Sequence, residues 1–103
     1  GMAYPPRTDV ERVGAEIGYW VGQEFWGRGV ATRALRLTTE HAFRTHPELR
    51  RLFAVPFASN PASARVLAKA GYRYEGTLRH SAVKAGQILD QWMYSILRIE
   101  VLG

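Results

Sequence analysis

The pattern of apolar and polar residues is clearest between residues 15 and 46, where a strand pattern gives way to a helix pattern. Residues 15–21 are rich in β-branched and aromatic side chains, which favour a strand. Residues 22–29 contain three glycines and predict a turn. From residue 30 to residue 46, small or apolar residues recur every three or four positions, which indicates an amphipathic helix. Its inner face is predicted to comprise Ala31, Ala34, Leu35, Thr38 and Ala42, and its outer face Arg33, Arg36, Glu40 and Arg44.

The next segment predicts a second strand and a second helix. Residues 51–55 form a short apolar run that is typical of a strand inside a sheet. Asn60 followed by Pro61 predicts a helix start, with the Asn60 side chain as the cap and proline where its missing N–H costs nothing. This helix is expected to run to residue 70, and Gly71 is expected to take a left-handed conformation after its end.

The C-terminal part predicts a hairpin. Residues 72–78 and 88–99 carry strand patterns, and residues 84–86 between them predict a turn. The resulting order β-α-β-α-β-β indicates an α/β (α+β) fold, in which parallel units are closed by an antiparallel hairpin.

Composition narrows the class of protein. The 103 residues allow one domain, and the hydrophobic share of 47% fits a folded chain. No apolar run approaches the roughly 20 residues that span a bilayer, and we expect no secretory signal at the start. The absence of cysteine excludes disulfides and thiolate chemistry and is compatible with a cytoplasmic protein. No spacing of histidines and acids suggests a metal site.

The charge balance favours an anionic partner. Fourteen Lys and Arg against nine Asp and Glu give a net charge of +5. Nucleic acid and an anionic cofactor both fit this balance, but the basic residues are scattered, which argues against a dedicated nucleic-acid surface. The predicted strand, glycine turn and helix form a possible phosphate site, because Gly27 and Gly29 permit close approach to the free N–H groups of a helix start. A plain strand-to-helix turn explains the same glycines.

Three segments in order resemble the GCN5-related N-acetyltransferase (GNAT) superfamily. They are WGRGVA at residues 26–31, NPASARVLAKAGY at residues 60–72, and Asp90 followed by QWMYSILRIE. The resemblance covers residues 15–100, and AEIGYWVG with FWGRGVAT is similar to the branch that acetylates ribosomal-protein N-terminal amines and small amines. Two positions depart from the superfamily pattern. Trp26 stands where Gln or Arg is common, and Leu67 stands where many members carry a tyrosine general acid.

The resemblance implies acetyl-CoA as the co-substrate and assigns candidate residues to it. Residues implied to bind the cofactor are Trp20, Val21, Gly27, Arg28, Gly29, Val30, Ala31, Thr32, Asn60 and Ser63. Glu16 is the candidate general base, although a surface carboxylate at a strand end explains it as well. Ser63 is the first candidate for the general acid, and Tyr72 and Tyr94 are the next candidates. Tyr72 is expected to be mainly a core residue. His80 is expected to follow the third strand, where it is either solvated or lines the acceptor side.

The resemblance also implies that part of the fold is missing. The full family fold has further strands and helices before the glycine-loop strand, whereas here only an irregular arm of residues 1–14 precedes a domain of residues 15–103. The strand at 15–21 is then left with an exposed edge, and we expect a homodimer or pairing with a second chain through it. The function implied is acetyl transfer from acetyl-CoA to a primary amine. A CoA-binding remnant without catalysis and a basic nucleic-acid-binding module are the alternatives.

Overall fold

A computed structural model describes residues 14–17 and 31–103 of the chain. Within these residues the elements follow the predicted order, with one short helix added at the end. The elements are β1 (Gly14–Glu16), α1 (Ala31–Thr45), β2 (Arg51–Ala54), α2 (Pro61–Lys69), β3 (Arg73–Lys84), β4 (Gln87–Leu97) and α3 (Arg98–Val101). The predicted α+β class is therefore confirmed.

The strands form one mixed sheet in the order β1-β2-β4-β3. β1 pairs with β2 in parallel, and α1 makes the crossover between them. β4 lies between β2 and β3 and is antiparallel to both. The sheet thus combines a parallel β-α-β unit with a closing antiparallel hairpin, as the sequence predicts.

Both long helices contribute to a core on one face of this sheet. The strand register aligns Ala15, Leu52 and Ile96 side by side, so their side chains share a face. Leu35 of α1 and Leu67 of α2 belong to the same buried cluster as Leu52 and Ile96. The opposite face carries another aligned row, which is Glu16, Phe53 and Ser95.

The buried stripe of α1 differs from the predicted one. Leu35 and Ala42 are buried as expected, but Thr39 and Phe43 are buried as well, whereas Thr38 is only half-buried. The prediction was wrong to omit Phe43, which is fully buried and is one of the largest core side chains. The outer face is confirmed, with Arg44 bonded to Glu40 one turn earlier at 2.8 Å.

Several element boundaries also differ from the predictions. The strand predicted at 15–21 is described as far as Glu16, and Ile17 is no longer part of it; residues 18–21 lie outside the described residues. β3 runs to Lys84 instead of ending at residue 78, because irregularities in its register let a longer segment stay paired with β4. β4 ends at Leu97, since residues 98–101 turn into α3, where Glu100 accepts the N–H of Leu97 at 2.8 Å.

The predicted turn and the predicted helix end are confirmed. Ala85 and Gly86 join β3 to β4, and both have positive φ (52° and 79°), as primed hairpin turns require. Gly71 follows α2 with φ of 100°, a conformation that an L side chain rarely adopts.

Candidate active site

The candidate site lies where the parallel strands end. β2 runs towards Ala54, and residues 55–60 then lead to α2, so the N-terminus of α2 follows the carboxyl end of β2. In the described residues, pairing between β1 and β2 stops at Glu16 and Phe53. Ligands of open α/β sheets bind at the carboxyl ends of the strands, next to helix N-termini with unpaired N–H groups.

Asn60 and Ser63 are brought together at the start of α2. Asn60 Nδ2 donates to Ser63 Oγ at 3.0 Å, and Ser63 is buried (7% exposed). The prediction that the Asn60 side chain caps the helix backbone was wrong, although Asn60 does occupy the cap position before Pro61. Asn60 instead donates through Nδ2 to the hydroxyl of Ser63 in the first helical turn, and its side-chain oxygen accepts no N–H of the helix start.

This contact leaves the Ser63 hydroxyl able to donate. Its oxygen accepts the Asn60 amide, so its own proton is directed elsewhere. Among the described residues, no side chain other than Asn60 is hydrogen-bonded to Ser63. A buried hydroxyl at a helix N-terminus, with its oxygen already accepting a hydrogen bond, can donate a hydrogen bond to a ligand atom.

Glu16 lies at the end of β1 on the face that the helices do not cover. It is half-buried and faces the same side as Phe53, its neighbour across the strand pair. Within the described part of the chain, Glu16 makes no side-chain hydrogen bond or ion pair.

Tyr72 has the structural role that was predicted for it. It is buried (3% exposed) and its hydroxyl lies 2.7 Å from Thr39 Oγ1. Burial raises the pKa of Tyr72 far above its usual value, and the bond from Thr39 opposes this only in part. Tyr94 is half-buried, and its ring tilts against that of Tyr74 at 5.6 Å. Leu67 is also buried (1% exposed), so the position that carries tyrosine in many members fills the core here.

The start of α1 is the described part of the predicted phosphate site at the glycine turn, which we call the phosphate cradle. α1 begins at Ala31, Thr32 is half-buried in its first turn, and Arg33 is exposed. The remaining cradle residues lie outside the described residues, and their roles stay predictions. These residues are Trp20, Val21, Gly27, Arg28, Gly29 and Val30.

The prediction for His80 was wrong about its location. His80 lies within β3 rather than after it, with φ of 49°, and its backbone N–H donates to Asp90 Oδ1 at 2.7 Å. The longer pairing of β3 with β4 explains this difference. In the described part of the chain, no group of three His, Cys, Asp or Glu residues could hold a metal ion. A search of the same residues finds no helix with the length and hydropathy of a membrane span.

One residue near the site was missed from the sequence. Gln91 Nε2 donates to the carbonyl oxygen of Val55, at 2.9 Å, on the segment that leads to Asn60. Gln91 opens the third segment of the family resemblance, but neither that segment nor the periodicity assigns it this contact. A groove of about 360 Å³ runs along α1, but no candidate catalytic residue lines it. Its lining residues are Leu37, Thr38, His41, Ala42 and His46.

Comparison with known proteins agrees with this architecture. The acetyltransferase (GNAT) domain family matches residues 1–73. An uncharacterized N-acetyltransferase of Bacillus licheniformis, p20, is 34% identical over 95 residues, which are 92% of this chain and 53% of that protein. Ribosomal-protein-serine acetyltransferase of Escherichia coli (strain K12) is 34% identical over 67 residues, which are 65% of this chain and 37% of that protein.

A solved structure gives the same result. The crystal structure of a probable acetyltransferase matches with a TM-score of 0.72 and 35% identity, covering 90% of this chain and 51% of that one. The chain spans about half the length of p20 and of this structure. The resemblance seen in the sequence is confirmed: the chain belongs to the GNAT acetyltransferase family.

Proposed function

We propose that the protein transfers an acetyl group directly from acetyl-CoA to a primary amine, on a peptide N-terminus or a small molecule. The observation that carries this proposal, beyond family membership, is the Asn60–Ser63 pair at the start of α2. It sets a buried donor hydroxyl beside a helix N-terminus, where the dipole favours developing negative charge.

The two candidate catalytic residues approach from different sides. Glu16 faces the side of the sheet without helices, whereas Ser63 belongs to a helix of the core side. For both to act on one group, that group would lie at the carboxyl end of the β1–β2 pair. Acetyl-CoA supplies the acetyl group as a thioester. The amine nitrogen would attack the thioester carbonyl, so that a C–N bond forms and the C–S bond breaks. Glu16 would take the proton of the attacking amine, and Ser63 would give its proton to the leaving sulfur. Return of the proton from Glu16 to Ser63 through solvent would restore both groups.

The cofactor would be held at the glycine turn and the start of α1. Backbone N–H groups of residues 27–31 would bind its pyrophosphate, and Thr32 would add a hydroxyl. The backbone near Trp20 and Val21 would stabilise the oxyanion.

Calorimetric titration with acetyl-CoA tests the cradle. Gly29→Glu adds bulk and negative charge and is expected to weaken binding at least tenfold. Gly103→Glu, with the same change of charge at a C-terminal residue that has open space around it, is the matched control and should leave binding unchanged. Equal binding by wild type and Gly29→Glu would refute the cradle.

Thiol release with a panel of amines tests the chemistry. The panel includes a peptide with an N-terminal serine, in view of the name of the E. coli relative. Ser63→Ala and Glu16→Gln are each expected to slow release by about 100-fold or more. The neighbouring exposed serine offers a matched control in Ser59→Ala, which should keep the full rate. Undiminished release by Ser63→Ala would remove its role as acid.

A second candidate function is cofactor binding without catalysis. It is favoured by Leu67, which places a core side chain where many members carry an acid. Acetyl-CoA binding without thiol release across the panel would establish it.

We also propose that β1 pairs with another chain, in the simplest case a second copy. β1 is the outer strand of the described sheet, and an exposed strand edge offers unpaired backbone groups. Sedimentation equilibrium should show a dimer at micromolar concentration, and a monomer at millimolar concentration would contradict the proposal. The cytoplasmic location stays a prediction.

A further inference from the structure

The side chain of Gln91 joins the hairpin to the segment after β2. Its Nε2 donates to the Val55 carbonyl oxygen at 2.9 Å, and its Oε1 lies 3.0 Å from the Ser81 hydroxyl. Because a carbonyl only accepts, the amide nitrogen must face Val55, and the amide oxygen accepts from Ser81, whose single hydroxyl proton is shared with the Leu78 carbonyl oxygen. Ser81 belongs to the hairpin bulge, residues 79–81, which lies between the Leu78–Gln91 and Ala82–Leu89 pairs.

The hairpin bulge is itself held in place. The carboxylate of Asp90 accepts the N–H of His80 at 2.7 Å, and His80 has a left-handed φ of 49°. The Ser81 hydroxyl also lies 2.9 Å from the Leu78 carbonyl oxygen. The carboxylate of Asp90 thus stabilises the left-handed conformation of His80, and the hairpin bulge offers Gln91 a well-defined hydrogen-bond partner.

On its other side Gln91 holds the connector, which we define as residues 55–60. Backbone bonds flank the contact, since Trp92 N donates to Pro56 O and Ala58 N to Asp90 O, each at 2.9 Å. In the described chain, Gln91 is the one side chain from outside the connector that hydrogen-bonds to its backbone. The amide of Gln91 thus supplements a short backbone ladder.

The connector ends at the candidate site. A turn in which Asn60 N donates to Phe57 O at 2.9 Å closes it, and Asn60 Nδ2 then reaches Ser63 at 3.0 Å. Side-chain hydrogen bonds and the covalent backbone of the connector therefore link Ser81, through Gln91, to Ser63.

We propose that Gln91 is a positioning residue, which sets the placement of Asn60 and Ser63 by tying the connector to the hairpin bulge. The inference rests on the proposed function, because Ser63 is the group that Gln91 places. Because Gln91 acts through Ser63, substitution of Gln91 should slow thiol release only in a protein that retains Ser63.

Gln91→Met keeps the length of the side chain and removes both hydrogen bonds. We expect thiol release to fall at least tenfold, with the acetyl-CoA Kd within threefold of wild type. In the Ser63→Ala background Gln91→Met should cause no further loss, which a merely structural role would not predict. The exposed glutamine at the start of β4 provides the matched control, and Gln87→Met should keep the full rate. An equal loss in both backgrounds, or no loss, would overturn the proposal.

Hydrogen exchange tests the placement without relying on activity. In Gln91→Met the backbone amide of Asn60 should exchange at least tenfold faster, while core amides of α1 at Leu35 and Phe43 keep their rates. An unchanged exchange rate at Asn60 would overturn the positioning role of Gln91, even if the protein releases no thiol. If the wild-type protein releases no thiol, only the proposed catalysis is refuted. If Gln91→Met does not fold, Ser81→Ala frees one end of Gln91. It should accelerate Asn60 exchange at least threefold, and no change would again be decisive against the proposal.

Discussion

The hydrogen bond between Thr39 and Tyr72 makes a quantitative prediction about stability. Thr39 is 2% and Tyr72 3% exposed, so neither hydroxyl can turn to water. Their oxygens lie 2.7 Å apart and join the middle of α1 to the first residue after Gly71. Removing one partner leaves the other buried without it, which costs about 1–3 kcal/mol.

The two single substitutions should differ in cost. In Tyr72→Phe, the Thr39 hydroxyl can bond back to the helix carbonyl four residues earlier, so the cost should be about 1 kcal/mol. In Thr39→Val, the Tyr72 hydroxyl is left in an apolar core and the cost should be about 2 kcal/mol. Replacing both by apolar groups of similar shape should cost about 1 kcal/mol, which leaves a coupling energy of about 2 kcal/mol.

Urea unfolding of the four proteins, followed by tryptophan fluorescence, measures this coupling. The midpoints should shift at constant m-value, so the changes report stability alone. Costs that simply add in the double variant would refute the reasoning, because they would show that the two hydroxyls do not depend on each other.

The pKa of Tyr72 adds a test at alkaline pH. Burial raises this pKa in the folded state, so the contribution of the neutral phenol is complete below the unfolded value of about 10. It is lost as pH rises above that value, because only the unfolded chain then ionises readily. Tyr72→Phe should therefore lose less stability than wild type between about pH 10 and pH 11. An equal alkaline loss in both proteins would argue against the assigned environment.

Three further predictions follow from other contacts. Arg98 Nη1 donates to Phe43 O at 2.7 Å near the end of α1, so Arg98→Met should cost about 1–3 kcal/mol in urea unfolding, whereas Arg79→Met on the exposed hairpin should not. Ala85 has a φ of 52°, which asparagine adopts more readily than alanine. Ala85→Asn should therefore raise the free energy of unfolding by about 0.5–1 kcal/mol. A lower urea midpoint would contradict this. The Ser95 hydroxyl holds the pKa of Glu75 below its usual 4.5, against the effect of burial and with help from an arginine. The ionised Glu75 carboxylate therefore stabilises the folded state above that pH, and this stabilisation is lost as the pH falls through the folded-state pKa. Glu75→Gln should weaken the dependence of stability on pH on the acid side. An unchanged acid slope would refute this prediction.

The parts of the fold that were predicted correctly are those with a local cause. Pro61 and Gly71 act through their own backbone geometry, and α2 begins and ends where they require. The extension of β3 beyond residue 78 has no such signal, because its residues are exposed and do not alternate. Backbone pairing with β4 holds this segment, and pairing of that kind depends on the partner strand rather than on local side chains.

The same distinction applies to the candidate site. Asn60 and Ser63 were found because a motif marks them, yet their mutual hydrogen bond replaced the predicted cap. Periodicity could not separate Thr38 from Thr39, since one residue along a helix is a rotation of only about 100°. The tertiary partner Tyr72 decides which of the two is buried. Gln91 was missed for a related reason, because its partners lie far away in sequence.

The burial of Leu67 bears on where a proton donor can lie in this chain. Ser63 and Leu67 are four residues apart on α2, so they occupy the same face of the helix, and both are buried. Leu67 packs in the cluster with Leu52 and Ile96, and a hydroxyl there would lie among apolar side chains that offer it no partner. Ser63 is one turn closer to the helix N-terminus, where free N–H groups and the dipole stabilise negative charge. In this chain position 67 therefore belongs to the core, and under the proposed function the proton donor would lie in the first turn of α2.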